Sequence, residues 1–255
     1  MVKMTLVAGA LFSLCLAAAP AEATVDHTYV SGKGTDTGGC IDQATACRSF
    51  AYALTQTSAS GEIIVMDPAD YSPVTITKSI SIVADAGGPA GIILATGTAI
   101  TISAGASDTV NLRGLTLEGE GTADVGIRLN SAGTLTVSDC FVQHFAGPGI
   151  VLIPSGALNA SILNSVMSNN NGTGLEAIGQ FSTLIVIIRN SIANNNGNGF
   201  FVTGATVTLA GSIATQNQGA GLLINQPSTV FSYGDNELNG NGGTNAGPLT
   251  PLAKR

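Results

Sequence analysis

Apolar and polar residues repeat with a regular period in the second half of the chain. A glycine followed by alternating apolar residues recurs at Gly126, Gly149, Gly174, Gly199 and Gly221, at spacings of 23, 25, 25 and 22 residues. A period of this length is typical of solenoids, in which each repeat stacks on its neighbours. The pattern therefore predicts a series of stacked coils.

The strand that opens each repeat alternates with a period of two, so one of its sides should face the interior. Its two inward columns are Ile127, Ile150, Leu175, Phe200 and Leu222, and Leu129, Leu152, Ala177, Val202 and Ile224. The outward column between them contains Arg128, Val151, Glu176, Phe201 and Leu223. Because three of these outward residues are apolar, we expect Val151, Phe201 and Leu223 to form an exposed contact surface. A loop of the chain, a partner and a glycan ring stacked on Phe201 are the alternatives for what contacts it.

Two more short strands complete each repeat. A tight turn separates them, with residue types that tolerate left-handed backbone: Asp139, Asn164, Asn190 and Gly211. Three strands per repeat without a helical pattern predict an all-β fold, a single-stranded right-handed parallel β-helix of about seven to eight coils. Leucine-rich, hexapeptide and calcium-binding nonapeptide repeats require motifs that the sequence lacks.

The chain divides into four predicted parts. Residues 1–23 have the features of a secretory signal peptide, ending in a small-residue cleavage site. A retained membrane anchor and a lipoprotein signal at Cys15 are the alternatives. Residues 24–60 form an N-terminal segment with a capping helix around Phe50, Ala53 and Leu54, residues 61–238 the parallel β-helix, and residues 239–255 a C-terminal tail. We expect a secreted or periplasmic protein without a membrane span after signal removal.

The composition argues against two classes of protein. The formal charge is −7, and charged residues are only 10% of the chain, which argues against nucleic-acid binding because that requires a basic surface. The hydrophobic fraction of 44% argues against disorder.

The cysteines fit an exported protein. Cys40 and Cys47, seven residues apart in a glycine-rich loop, suggest a disulfide. Cys140 would then be a small core residue, the usual role of an unpaired cysteine, and a catalytic thiol assisted by His144 is the alternative.

Asparagine-rich runs close three of the repeats, at residues 169–172, 194–197 and 216–219. Stacked coils would place these amides above one another, where they can hydrogen-bond along the axis. Binding of a glycan or an ion by the same surface is the alternative.

Three segments carry a family resemblance: Tyr-Val-Ser-Gly-Lys-Gly-Thr-Asp at 29–36, Phe-Ala-Tyr-Ala-Leu at 50–54 and Gly-Glu-Ile-Ile-Val at 61–65. With the asparagine-rich coil ends, they make the chain resemble the right-handed parallel β-helix superfamily that includes pectate and pectin lyases. The likeness is greatest to small exported bacterial β-helix proteins whose activity is not established. The resemblance implies polysaccharide as the usual ligand, although function depends on sites rather than folds.

Candidate chemistry is sparse. The resemblance to lyases implies a basic residue that abstracts a proton beside Ca²⁺. The candidates are Arg128 as the base, with Glu118, Glu120 and Asp124 as calcium ligands. Arg113, Glu176, Phe201 and Arg189 are candidate substrate contacts. An ordinary solvated β-face with ion pairs would show the same residues. No Arg-x-Lys, Asp-Asp, Gly-His-Gly or Gly-x-Ser-x-Gly motif appears.

Three hypotheses follow. The first is that the protein binds extended polysaccharide along one β-face, with no assured catalysis; no cofactor is certain, and Ca²⁺ is a candidate. The second is a Ca²⁺-dependent polysaccharide lyase. The third is a structural or adhesion protein whose apolar column contacts another protein. The oligomeric state stays open.

Overall fold

The computed structural model describes residues 25–84, 90–180 and 182–253. The predicted signal peptide therefore lies outside the described residues. Within the described ranges, no helix has the length and hydrophobicity that crossing a membrane requires.

The described residues form short strands and one helix. In chain order these are β1 (Val25–Val30), α1 (Phe50–Gln56), β2 (Thr57–Val65), β3 (Val74–Ile76), β4 (Ile80–Val83), β5 (Ala90–Ile93), β6 (Thr98–Ser103), β7 (Thr109–Arg113), β8 (Leu115–Glu118), β9 (Val125–Ser131), β10 (Thr134–Ser138), β11 (Phe141–Gln143), β12 (Ile150–Leu152), β13 (Leu158–Leu163), β14 (Val166–Ser168), β15 (Thr173–Ile178), β16 (Leu184–Arg189), β17 (Ile192–Asn194), β18 (Asn198–Thr203), β19 (Thr206–Ala210), β20 (Ile213–Thr215), β21 (Leu222–Asn225), β22 (Thr229–Ser232) and β23 (Leu249–Pro251).

The strands build three parallel sheets around one interior. The ten-stranded sheet has the order β1-β2-β4-β7-β10-β13-β16-β19-β22-β23, the six-stranded sheet β20-β17-β14-β11-β8-β5, and the seven-stranded sheet β21-β18-β15-β12-β9-β6-β3. The chain visits these sheets in turn, so the predicted parallel β-helix is confirmed.

Among the described residues, six turns contain all three strands, from β4–β6 to β19–β21. The prediction of about seven to eight coils is therefore slightly too high. The turn that begins with β2 has no strand in the six-stranded sheet, and β22 and β23 both join the ten-stranded sheet. Isolated bridges, such as Glu237 with Ile213, replace strands in the last turn. The apolar pattern of the sequence is also present in these incomplete turns, so a coil count based on the pattern includes them.

The predicted inward columns are confirmed by register and burial. Ile127, Ile150, Leu175 and Phe200 lie one above another, and each is fully buried. The tight turn between the ten-stranded and six-stranded sheets also has the predicted left-handed backbone, with φ of 55° at Asp139 and 49° at Asn164. Period-two alternation decides these positions because a one-residue shift would expose the whole column.

The N-terminal end is covered by α1. Ser49 caps the helix by accepting a hydrogen bond from the Tyr52 amide at 3.2 Å. The helix buries Phe50, Ala53 and Leu54, and the Phe50 ring centroid lies 4.8 Å from that of Tyr71. This packing hides the terminal apolar surface that a solenoid must cover.

A disulfide loop covers the outer edge of β1. Cys40 and Cys47 form the disulfide that the sequence suggests. The Tyr29 amide donates to the Cys40 carbonyl at 2.8 Å, and the Cys47 amide donates to the Tyr29 carbonyl at 2.8 Å. These bonds pair groups that an uncovered edge strand would offer to another chain.

A buried asparagine stack runs along the interior through Asn170, Asn196 and Asn217, and it ends at the half-buried Asn241. Each of the first three side chains donates to the next at 2.9–3.2 Å. Each also donates to a backbone carbonyl of the preceding coil, as Asn196 does to Met167 at 2.9 Å. The stack thus satisfies backbone groups that would otherwise be buried without partners.

A second buried column links the ten-stranded and six-stranded sheets: Cys140, Ser165, Ser191 and Ser212. The Cys140 amide donates to Ser165 Oγ at 3.2 Å, and the same bond recurs between Ser165 and Ser191 and between Ser191 and Ser212. Cys140 is 1% exposed, and burial is the main cause that raises the pKa of its thiol to about 12. This cysteine therefore packs as a neutral member of a structural column.

Parallel pairing extends beyond residue 238, where the sequence suggests that the β-helix ends. Asn241 closes the buried asparagine stack, and β23 pairs with β22. The segment predicted as a tail therefore includes part of a further turn.

Candidate functional site

The outward column of the seven-stranded sheet is continuous. Arg128, Val151, Glu176, Phe201 and Leu223 occupy one register through β9, β12, β15, β18 and β21. A cation, a carboxylate and an aromatic ring are thus brought to one face, with Glu176 two coils from Arg128 and Phe201 one coil beyond Glu176, at about 4.8 Å per coil.

The expectation that Val151, Phe201 and Leu223 form an exposed apolar column is wrong. Val151 is only 2% exposed, and Phe201 and Leu223 are half-buried. Val151 lies between Arg128 and Glu176, whose long side chains can cover the short valine while their charged ends stay in water. Larger apolar exposure occurs elsewhere, at Ile187 on the ten-stranded sheet and Phe141 on the six-stranded sheet.

Arg113 and Arg189 lie on a different sheet from Arg128. Successive pairings relate Arg113, Ser138, Leu163 and Arg189, so the two arginines share a column three coils apart, about 14 Å. Arg113 forms an ion pair with Asp139, whose Oδ2 lies 3.5 Å from Nε. Arg189 lines a cavity of about 630 Å³. The predicted substrate contacts are therefore divided between two surfaces.

The predicted calcium ligands do not form a metal site in the described ranges. Glu118 lies on the six-stranded sheet, where His144 Nδ1 is 2.9 Å from both carboxylate oxygens. Glu120 is exposed in a left-handed turn, and Asp124 is exposed before β9. No group of three or more His, Cys, Asp and Glu side chains in the described residues could hold a metal ion. This donor set does not fit Ca²⁺, which needs six to eight oxygens.

Sequence reasoning missed the polar row around Glu118. Gln143 Nε2 donates to Glu118 Oε2 at 3.0 Å, and Ser168 Oγ donates to Gln143 Oε1 at 3.5 Å. Asn194 continues the row, and its buried Oδ1 has no partner among the described residues. The repeat period could have predicted the contact between Gln143 and Glu118, because Gln143 follows Glu118 by one coil. The third strand of a coil is only three or four residues long, however, as in β11 and β8, which is too short for alternation to identify its outward side.

The exposed apolar side chain of Phe141 begins a second column on the same sheet. Its register continues through Val166, Ile192 and Ile213, which are half-buried. The six-stranded sheet therefore has one apolar and one polar column on its outer surface.

A comparison with protein-family models agrees with this architecture. Residues 125–246 match the family model described as "Right handed beta helix region". No curated protein matches the chain. Among solved structures, the crystal structure of pectate lyase Pel9A aligns with 16% sequence identity and a TM-score of 0.48, over 92% of this chain and 80% of that one. An identity of this size says nothing about activity. Residues 125–246 are thus a right-handed β-helix region, and the resemblance to the right-handed parallel β-helix superfamily is confirmed.

Proposed function

We propose that this protein binds an extended polysaccharide along the outer surface of the seven-stranded sheet. The observation that supports the proposal is the straight column that places Arg128, Glu176 and Phe201 on one face. The right-handed β-helix region gives this column a rigid support. Export of the protein, which the sequence predicts, would place it where such polymers occur.

The spacing of the column suits a polymer that runs parallel to the helix axis. Glu176 lies two coils from Arg128, about 10 Å, and Phe201 lies one coil further. One coil step is comparable with the length of a sugar ring in an extended chain. Arg128 would therefore meet one sugar, Glu176 the sugar two positions along and Phe201 the sugar after that. The Phe201 ring would lie against an apolar sugar face, and the two charged groups would bond to hydroxyls.

The described residues support binding of a polysaccharide and do not support a catalytic reaction on it. Catalysis by Arg128 through a calcium ion needs carboxylates that converge on the metal, and Glu118, Glu120 and Asp124 do not converge in the described ranges. Arg128 therefore enters the proposal as a contact to the polymer, and its catalytic role stays a prediction.

Affinity electrophoresis through gels that contain neutral or acidic polysaccharides tests the proposal. We expect at least one polymer to retard the protein. Phe201→Ala and Arg128→Ala should each remove most of that retardation. Phe141→Ala is the matched control, because Phe141 is an exposed aromatic residue on another sheet. Absence of retardation by every polymer, or equal loss in Phe141→Ala and Phe201→Ala, would contradict the proposal.

Two further measurements distinguish the other hypotheses. A Ca²⁺-dependent rise in the absorbance of unsaturated uronates that Arg128→Ala abolishes would establish a lyase. Self-association that Phe201→Asp abolishes, without glycan binding, would establish a structural role for the same column.

A further inference from the structure

A cavity of about 630 Å³ opens near the C-terminal end of the solenoid, where the ten-stranded sheet turns into the six-stranded sheet. Four successive levels of the solenoid contribute to it. Arg189 and Asn190 belong to one coil, Ala210 and Gly211 to the next, and Tyr233 and Asp235 to the coil after that, while Leu252 and Ala253 follow β23 at the fourth level. The volume lies in the range of small-molecule sites.

The cavity exists because two columns of side chains are interrupted by small residues at the middle coil. Ala210 follows Arg189 in register, and Gly211 takes the turn position that Asn190 occupies one coil earlier. A layer of large side chains is therefore missing, which leaves a slot about one coil high, or 4.8 Å. A Cβ at Gly211 would lie 2.7 Å from Asn190 Oδ1, so a larger residue here would shift the end of the Asn190 side chain. The slot has roughly the thickness of one flat ring.

Arg189 provides a cation at this slot. Its side chain is exposed and has no ion pair with any residue in the described ranges. Arg113, in the same column three coils earlier, is paired with Asp139. An unpaired guanidinium beside a cavity can donate two parallel hydrogen bonds to a carboxylate.

Tyr233 provides an apolar surface opposite. The half-buried tyrosine also borders a second cavity of about 330 Å³, which shares Leu252 and is lined by Leu249 and Pro251. The two cavities together join a cationic end to an apolar end, with the phenol ring between them. A ligand that fits both ends would have a negative charge at one end and a ring with an apolar face at the other.

We propose that this pair of cavities binds a six-membered ring bearing a single carboxylate, with the carboxylate on Arg189 and the ring against Tyr233. Asp235 also lines the slot and accepts a hydrogen bond from the Gly211 amide at 3.0 Å. The site is independent of the proposed polysaccharide surface, because Arg128 and Phe201 lie on the seven-stranded sheet.

Ligand-observed NMR titration of the purified protein tests the proposal with two matched pairs of probes. Benzoate and benzamide represent an aromatic ring with and without the charge, and glucuronate and glucuronamide represent a sugar ring. We expect at least one carboxylate to bind about tenfold more tightly than its amide, since the hydrogen bonds to Arg189 are charge-assisted. Which carboxylate binds identifies the ring.

Two variants and one control locate the binding. Arg189→Gln should abolish the preference for the carboxylate, and Gly211→Asn should weaken both members of the pair by filling the slot. Asparagine tolerates the left-handed backbone at this position, where φ is 54°. Arg113→Gln should bind like the unaltered protein. Failure of both carboxylates to bind, equal binding of acid and amide, or unchanged binding by Arg189→Gln would each overturn the proposal.

Discussion

Two rows of stacked polar side chains pass through the same coils of this protein, and they stabilise it in different ways. The buried asparagine stack lies in the interior, whereas a surface stack of Asp139, Asn164 and Asn190 lies in the turn between the ten-stranded and six-stranded sheets. Asn196 in the interior uses its full capacity, accepting from the Asn170 amide and side chain and donating to Met167 and Asn217. Asn164 on the surface donates to Asp139 at 3.3 Å, in contact with water.

The difference shows that stacking alone does not determine the contribution of an asparagine. In the interior, loss of the side chain leaves several buried groups without partners, each of which costs free energy. On the surface, water replaces the lost bond, and the contribution of the residue is its tolerance of a φ near 49° at Asn164. The predictions below separate these two causes.

Asn196→Ala should have the largest effect. Removing its amide leaves the Met167 carbonyl, the Asn170 amide groups and Asn217 Oδ1 without that partner inside the solenoid. We expect the free energy of unfolding to fall by about 3 kcal/mol or more. Urea titration followed by circular dichroism measures it. A loss no greater than that of Asn164→Ala would remove the distinction between the two stacks.

Ser191→Ala should have an intermediate effect. Ser191 follows Asn190 directly but is fully buried, where its hydroxyl donates to the Arg189 carbonyl at 3.0 Å and accepts from the Ser165 amide at 3.3 Å. We expect a loss of about 1–2 kcal/mol in the same urea titration, since one buried backbone donor loses its acceptor. An unchanged free energy of unfolding would show that the buried hydroxyl of Ser191 does not contribute to stability.

Cys140→Ser should show a pH-dependent difference. Burial raises the pKa of the Cys140 thiol from 9.0 to about 12, so folding favours the neutral form. The stabilisation is complete below pH 9 and is lost as the pH rises toward 12, because the unfolded chain ionises first. Between pH 7 and pH 10, the unaltered protein should lose about 1 kcal/mol more than Cys140→Ser. Parallel losses in both proteins would show that the thiol does not titrate on unfolding.

Asn164→Gly and Asn164→Ala should give the smallest difference. Glycine adopts the left-handed turn without strain, so we expect Asn164→Gly to be more stable than Asn164→Ala by under about 1 kcal/mol. At Asn196, where φ is not positive, glycine should be no better than alanine. Thermal unfolding of the four variants makes the comparison. Alanine equal to glycine at position 164 would argue against a backbone cause.

The sequence predicts the solenoid well because two periods determine its interior. Apolar residues alternate with a period of two within each strand, and the same pattern recurs once per coil. The buried columns that begin at Ile127 and Leu129 follow from this alternation alone, as does the left-handed turn at Asn164. The asparagine-rich runs likewise predict a stack, although not which asparagine of each run faces inward.

The outward surface is less predictable, because exposure there depends on neighbouring side chains. Val151 reads as exposed from alternation, yet Arg128 and Glu176 lie on either side of it in register. Glu118 lies on a strand, and His144, which contacts it, lies in the turn of the next coil. The two residues do not occupy equivalent positions of the repeat, so the period of the sequence does not predict this contact. The cavity beside Arg189 depends on two small residues, Ala210 and Gly211, and on Tyr233 two coils away.

The disulfide loop over β1 has a consequence for the order in which the chain assembles. The loop joins residues only seven positions apart, so the outer edge of β1 is completed by local contacts. The N-terminal boundary can therefore form before the later coils exist. Repeat proteins propagate structure from one unit to the next, and this finished end offers an open face in one direction only. Growth of the solenoid can then proceed toward the C-terminus, in the order in which the chain emerges.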